Sequence, residues 1–150
     1  MPLAYDVAAN VTNLINEQIT EPPGIQAHLC YRWSLALENL SSTPVVLVVP
    51  GSTATEQISR FHSLETVTVT VAVAAKFADT DQLMLARLLD ICEATDLLLR
   101  RKEFNTNPPV AWQKTEYLMD SGFDDKLLDQ HKIFVSTMRF TFITGRFGTG

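Results

Sequence analysis

Hydrophobic positions change period several times along the chain, and each change marks a predicted element. In residues 2–20, Leu3, Val7, Val11, Leu14 and Gln18 or Ile19 recur at three- and four-residue steps, the spacing of one helical face. Asn10, Asn13, Asn16 and Glu17 fall largely on the other side, and Pro22-Pro23-Gly24 stops the helix. The period then drops to two. Leu29, Tyr31, Trp33, Leu35 and Leu37 alternate with His28, Cys30, Arg32, Ser34 and Ala36, which predicts a half-buried strand over 27–37. A polar turn over 38–44 leads to Val45, Val46, Leu47, Val48 and Val49, apolar on both faces and so a central strand. The short connection predicts that these two strands are antiparallel neighbours.

Residues 50–64 read as a long polar loop carrying Gly51, Ser52, Thr53, Thr55 and Ser59. A strand over 65–76 follows, with Val67, Val69, Val71 and Val73 on one face and Thr68, Thr70, Ala72 and Ala74 on the other. It feeds the longest helical pattern, residues 82–102. Met84, Leu88, Ile91 and Leu98 form its stripe, flanked by Leu85, Leu89, Cys92 and Leu99. Asp79 or Thr80 is placed to cap its start, and Arg100, Arg101 and Lys102 complement its carbonyl end. After a break at 105–109, residues 110–130 lack a clean period and read as a loop with a short helical turn. A last strand over 133–143 sets Phe134, Met138, Phe140 and Phe142 on one face, and residues 145–150 read as a flexible tail.

The predicted fold is therefore α+β: an antiparallel four-stranded sheet flanked by two main helices, in the order α-β-β-β-α-β. It forms a single domain over residues 1–150 with a flexible tail from about 145. The composition agrees with one folded domain, since 46% of the 150 residues are hydrophobic and 19% charged. A net charge of −5 argues against a general nucleic-acid binder, although an acidic surface can line a passage for DNA without gripping it. Cys30 and Cys92 are too few for a disulfide scaffold and read as reduced core thiols. The first residues lack the basic start and apolar run of a signal peptide. No apolar run reaches the ~20 residues of a membrane span, so a soluble, cytosolic product is expected.

No stretch carries recognisable chemistry. His28 and Cys30 share a strand face but have no second pair to complete a metal site. The run Pro50-Gly51-Ser52-Thr53-Ala54 lacks the second glycine of a nucleophile elbow and the lysine of a phosphate loop. Asp79 with Asp81 fits a helix start, and Asp124 with Asp125 a turn. Neither pair has calcium-loop spacing. Arg100, Arg101 and Lys102 have no aromatic stacking platform beside them and read as a solvated helix end. No enzyme activity, cofactor or metal is expected. Apolar surface beyond one small domain's needs remains, with a long polar loop and a free tail.

The order of elements resembles the tail-terminator and related neck proteins of long-tailed bacteriophages. The likeness is carried by an opening amphipathic helix, a polar hairpin loop, the run Glu65-Thr66-Val67-Thr68-Val69-Thr70-Val71, a capped helix and an aromatic-rich last strand over 132–143. It implies a structural virion protein, present in the host cytoplasm during assembly and in the tail-neck region of the virion. Such proteins form homo-oligomeric rings, commonly hexamers, at the head-proximal end of the tail. The ring ends tail-tube growth and joins the tail to the head connector. Its implied partners are its own copies, the tail tube protein, and the connector or other neck proteins. Genomic DNA passes through the lumen without sequence-specific binding, and no membrane is involved. An acidic chain and a wide apolar helix face suit these roles. The expected contact residues are Leu85, Leu89 and Leu99 on the helix, Ser52, Thr53, Thr55, Arg60 and His62 in the loop, and Arg146 and Phe147 in the tail. An alternative from another class is a small cytosolic ligand-binding or enzymatic α+β domain. Its pocket would lie between sheet and helix around Tyr31, Trp33 and Trp112.

Overall fold

The valine stripe at 67–73 lies at the centre of a six-stranded sheet. In the computed structural model the described residues are 2–20, 25–31, 40–41, 43–57, 59, 62–76, 82–118, 123–124, 128 and 132–147. The elements in chain order are α1 (Leu3–Gln18), β1 (Gln26–Leu29), β2 (Val45–Gln57), β3 (His62–Lys76), α2 (Gln82–Leu99), β4 (Glu103–Phe104), β5 (Val110–Tyr117) and β6 (Ile133–Phe147). The strands run in the order β1-β2-β3-β6-β5-β4, and the sheet curls into a half-barrel. Every neighbouring pair is antiparallel except β1 and β2, which are parallel.

Alternation along β3 and β6 decides which face takes the helices. Val67 pairs with Phe142, Val69 with Phe140, Val71 with Met138 and Ala75 with Phe134, so valines and aromatics share one face. That face packs with Val7, Val11 and Ile15 of α1 and Leu88, Ile91 and Leu99 of α2 in one core. Helix α1 lies over β1, β2 and β3, with α2 beside it. The opposite face carries Leu47, Ala72, Ala74, Val135 and Thr137, also buried and mostly small.

The outer edge of β1 is closed by a side chain. Asn16 of α1 accepts a hydrogen bond from the Ala27 amide at 2.8 Å and donates to the Ala27 carbonyl at 3.1 Å. Its carboxamide satisfies the pair of backbone groups that a neighbouring strand would otherwise take. The other outer strand, β4, is two residues long.

These findings correct the expected four-stranded antiparallel sheet. Of the strand predicted over 27–37, the described part is strand only to Leu29, with Cys30 and Tyr31 irregular; 32–39 lie outside the described residues. The connection to β2 is then residues 30–44, long enough to bring the chain back parallel. Residues 50–57 and 62–64, predicted as loop, are strand. Residues 110–117, also predicted as loop, form β5. There the register shifts between Trp112 and Lys114, a bulge that breaks the two-residue period by which strands are recognised. Strand β6 continues through Gly145, Arg146 and Phe147, residues assigned to the tail on sequence grounds. Helix α2 stops at Leu99, three residues earlier than its sequence pattern, where Arg101 takes a left-handed conformation (φ 60°). The cap expected from Asp79 or Thr80 lies outside the described residues.

Candidate functional site

Two regions stand out, a polar cluster on α2 and an arm of the sheet. The cluster centres on Asp96, which is 3% exposed. Arg100, one turn along the helix, donates to it through Nε at 3.1 Å and Nη2 at 2.8 Å, the two-pronged geometry that suits a carboxylate. Tyr117 of β5 donates its hydroxyl at 2.8 Å. The Arg100 guanidinium lies 5.9 Å from the Trp112 ring centre, and Trp112 Nε1 donates to Thr115 at 3.0 Å. Asp96 thus ties α2 to β5. A groove of about 390 Å³ opens beside it, bordered by Leu89, Leu97 and Ser136.

The electrostatics of this groove favour inert protonation states. Burial pushes the Asp96 carboxylate upward, but the donors Arg100, Tyr117 and Thr115 and the Arg100 charge outweigh it. Its pKa falls below the ordinary value. Burial pushes the Cys92 thiol up to about 11, against a hydrogen bond with Ser136, so it stays protonated and weakly nucleophilic. Burial and then Asp96 push the Tyr117 hydroxyl up to about 12. None of the three is poised to exchange a proton near neutrality. Among the described residues no buried side-chain polar atom lacks a partner, and no group of three His, Cys, Asp or Glu is placed to hold a metal.

The arm arises where β2 outruns its outer neighbour. Strand β1 last pairs at Val48, and the Cys30 amide donates to the Val48 carbonyl at 2.9 Å. Pro50 follows, lacking an amide hydrogen. Gly51 and Ser52 then lie together opposite Thr68, a bulge between Pro50 and Thr53. A Cβ on Gly51 would sit 2.5 Å from the Thr68 carbonyl oxygen and closer still to its Oγ1. The space left by glycine lets the Thr68 hydroxyl accept from the Ser52 amide at 3.0 Å. Beyond the bulge β2 pairs with β3 as far as Gln57–Ser63, and β3 pairs with β6 as far as His62–Phe147. Strand β5 meets β6 only up to Ile143. Among the described residues the arm is therefore a three-stranded blade of residues 53–57, 62–67 and 142–147. On it, residues 51–57 are all exposed, whichever face they point to.

This blade unites most of the residues proposed from sequence for loop and tail. Ser52, Thr53 and Thr55 lie on β2, His62 opens β3, and Arg146 and Phe147 close β6, with Ser63 opposite Arg146. Arg60 lies outside the described residues. The helix residues divide. Leu89 is 36% exposed and Leu85 half-buried against the core, whereas Leu99 is fully buried and cannot meet another chain. Leu83 and Leu97, each more than 60% exposed, were missed; both fall off the Met84–Leu88–Ile91 stripe, which is the signal that finds them. Two of the three residues named for the alternative pocket can be placed. Tyr31 lies by Tyr5 and Pro50 at the β1 side, Trp112 lies on β5 across the sheet, and Trp33 is outside the described residues. His28 is exposed on β1.

No protein-family model matches this chain, and no curated protein matches it in sequence. Among the described residues no helix is long and apolar enough to cross a membrane.

Proposed function

We propose that the chain is a structural subunit of a ring at the head-proximal end of a bacteriophage tail. There the ring ends tube growth and joins the tail to the head connector. The observation that carries this reading is the blade. It extends past β1 and β5, its residues 51–57 have solvent on both faces, and it is built from the two segments nominated for assembly contacts. Beyond Val67 and Phe142 at its root the extension adds little core to a monomeric domain, whereas a subunit can use it against neighbours or axial partners. The exposed leucines of α2, Leu83, Leu89 and Leu97, add an apolar surface.

The enzymatic or ligand-binding reading draws less support. The groove beside Asp96 holds a thiol, a phenol and a carboxylate, each held in an inert state by burial or by internal partners.

The function is tested in particles. Phage lacking this chain should accumulate tails of uncontrolled length beside filled, unjoined heads, visible by negative-stain microscopy. Removing residues 52–59 should leave a folded subunit with the same particle defect. Normal, joined tails in the absence of the chain would refute the reading.

A further inference from the structure

Resting on the ring reading, the geometry points to how copies join: the β6 end of one blade pairs, edge to edge, with the β2 arm of the next. Within the body of the sheet the outer strands offer little free edge among the described residues. Asn16 occupies the backbone groups of Ala27 on β1, and β4 is only two residues long. On the blade both edges are open among the described residues, β2 beyond Val48 and β6 beyond Ile143.

The two open edges match. Both strands are antiparallel to β3, so they are parallel to each other. Glu56 pairs with Leu64, which pairs with Gly145, so the edges stand at the same level of the blade. One rotation, repeated, sets each β6 end beside the next β2 arm in a parallel pair, a head-to-tail contact that closes into a ring. A foreign strand would fill one edge and leave the other open. A second copy fills one and presents the next. The sole charge in residues 51–57 is Glu56 and the sole charge in 144–147 is Arg146, one register step from the level of Glu56. The edge is about 17 Å long over residues 53–57 at ~3.3 Å per residue.

Proline substitution on each edge tests this pairing. Successive amides of a strand point to opposite sides, so Thr55→Pro and Glu56→Pro are made separately, as are Thr144→Pro and Gly145→Pro. On each strand the variant that keeps the wild-type melting temperature carries the outward amide. By native mass spectrometry, each of these two variants alone should be monomeric, and their mixture should give a one-to-one pair that grows no further. A β6-edge variant that still self-associates through β2 would overturn the proposal. So would variants that both assemble like the wild type, a result that leaves the ring reading intact. A wild-type chain that never associates would overturn both. Should the prolines unfold the subunit, hydrogen exchange on the wild type decides. The outward-facing amides among residues 53–57 should gain at least tenfold protection on assembly, and unchanged exchange there would refute the pairing.

Discussion

Gly51 holds its place because Thr68 occupies the space a side chain would need. Gly51→Ala is expected to cost about 1–3 kcal/mol in the stability of the blade. Hydrogen exchange at 52–56 should rise in proportion. Adding Thr68→Ala should not restore it, because the Thr68 backbone oxygen still meets the new methyl. At Asn16, replacement by Ala strands the Ala27 amide and carbonyl and should lower stability by about 1–3 kcal/mol in urea denaturation. Asp96 adds a pH dependence. Its folded pKa lies below the unfolded value near 3.9, so its contribution is whole above that value and fades as pH falls through the folded pKa. Asp96→Asn should cost about 1–3 kcal/mol at neutral pH. It should also flatten the loss of stability that the parent shows below about pH 4. An unchanged acid slope in the variant would show that other carboxylates carry it.

Among the elements, α2 carries two kinds of leucine that behave oppositely. Leu88, 1% exposed, should cost about 2–5 kcal/mol when changed to Ala. Leu97→Ser, at a 62% exposed position, should change stability by less than about 0.5 kcal/mol while weakening any association that uses this face. The same contrast explains what was legible in the sequence. Strands β3 and β6 could be read because one face of each meets the helices and takes large apolar side chains at Val67, Val69 and Val71 and at Met138, Phe140 and Phe142, while the other takes smaller or polar ones such as Thr68, Ala72, Thr137 and Thr141. Helix α1 could be read for the same reason. Residues 51–57 were hidden because no layer covers either face, and a strand with two wet faces has the composition of a loop. Strand β5 was hidden by its bulge at residue 113, and β1 because the alternation in the chain runs past the point where pairing with β2 ends. Of the candidate site, the sequence could name Ser52, Thr53, Thr55, His62, Arg146 and Phe147 but not that one sheet extension carries them. Only the register of β3 with β6 brings His62 beside Phe147 and Ser63 beside Arg146.

Across the whole molecule, a half-barrel covered by two helices carries a blade that adds surface and little core. That imbalance is the physical basis for reading the chain as an assembly subunit. On the proposed ring reading, the net charge of −5 suits a lumen that lets DNA pass without counter-ion release and tight binding. The most direct test is the native mass of the purified chain across the micromolar range, with negative-stain images of the same sample. The expected result is one closed oligomer of fixed copy number, seen as a ring with an open centre, in equilibrium with monomer on dilution. A chain that stays monomeric throughout, or that forms only a two-fold dimer, would contradict it.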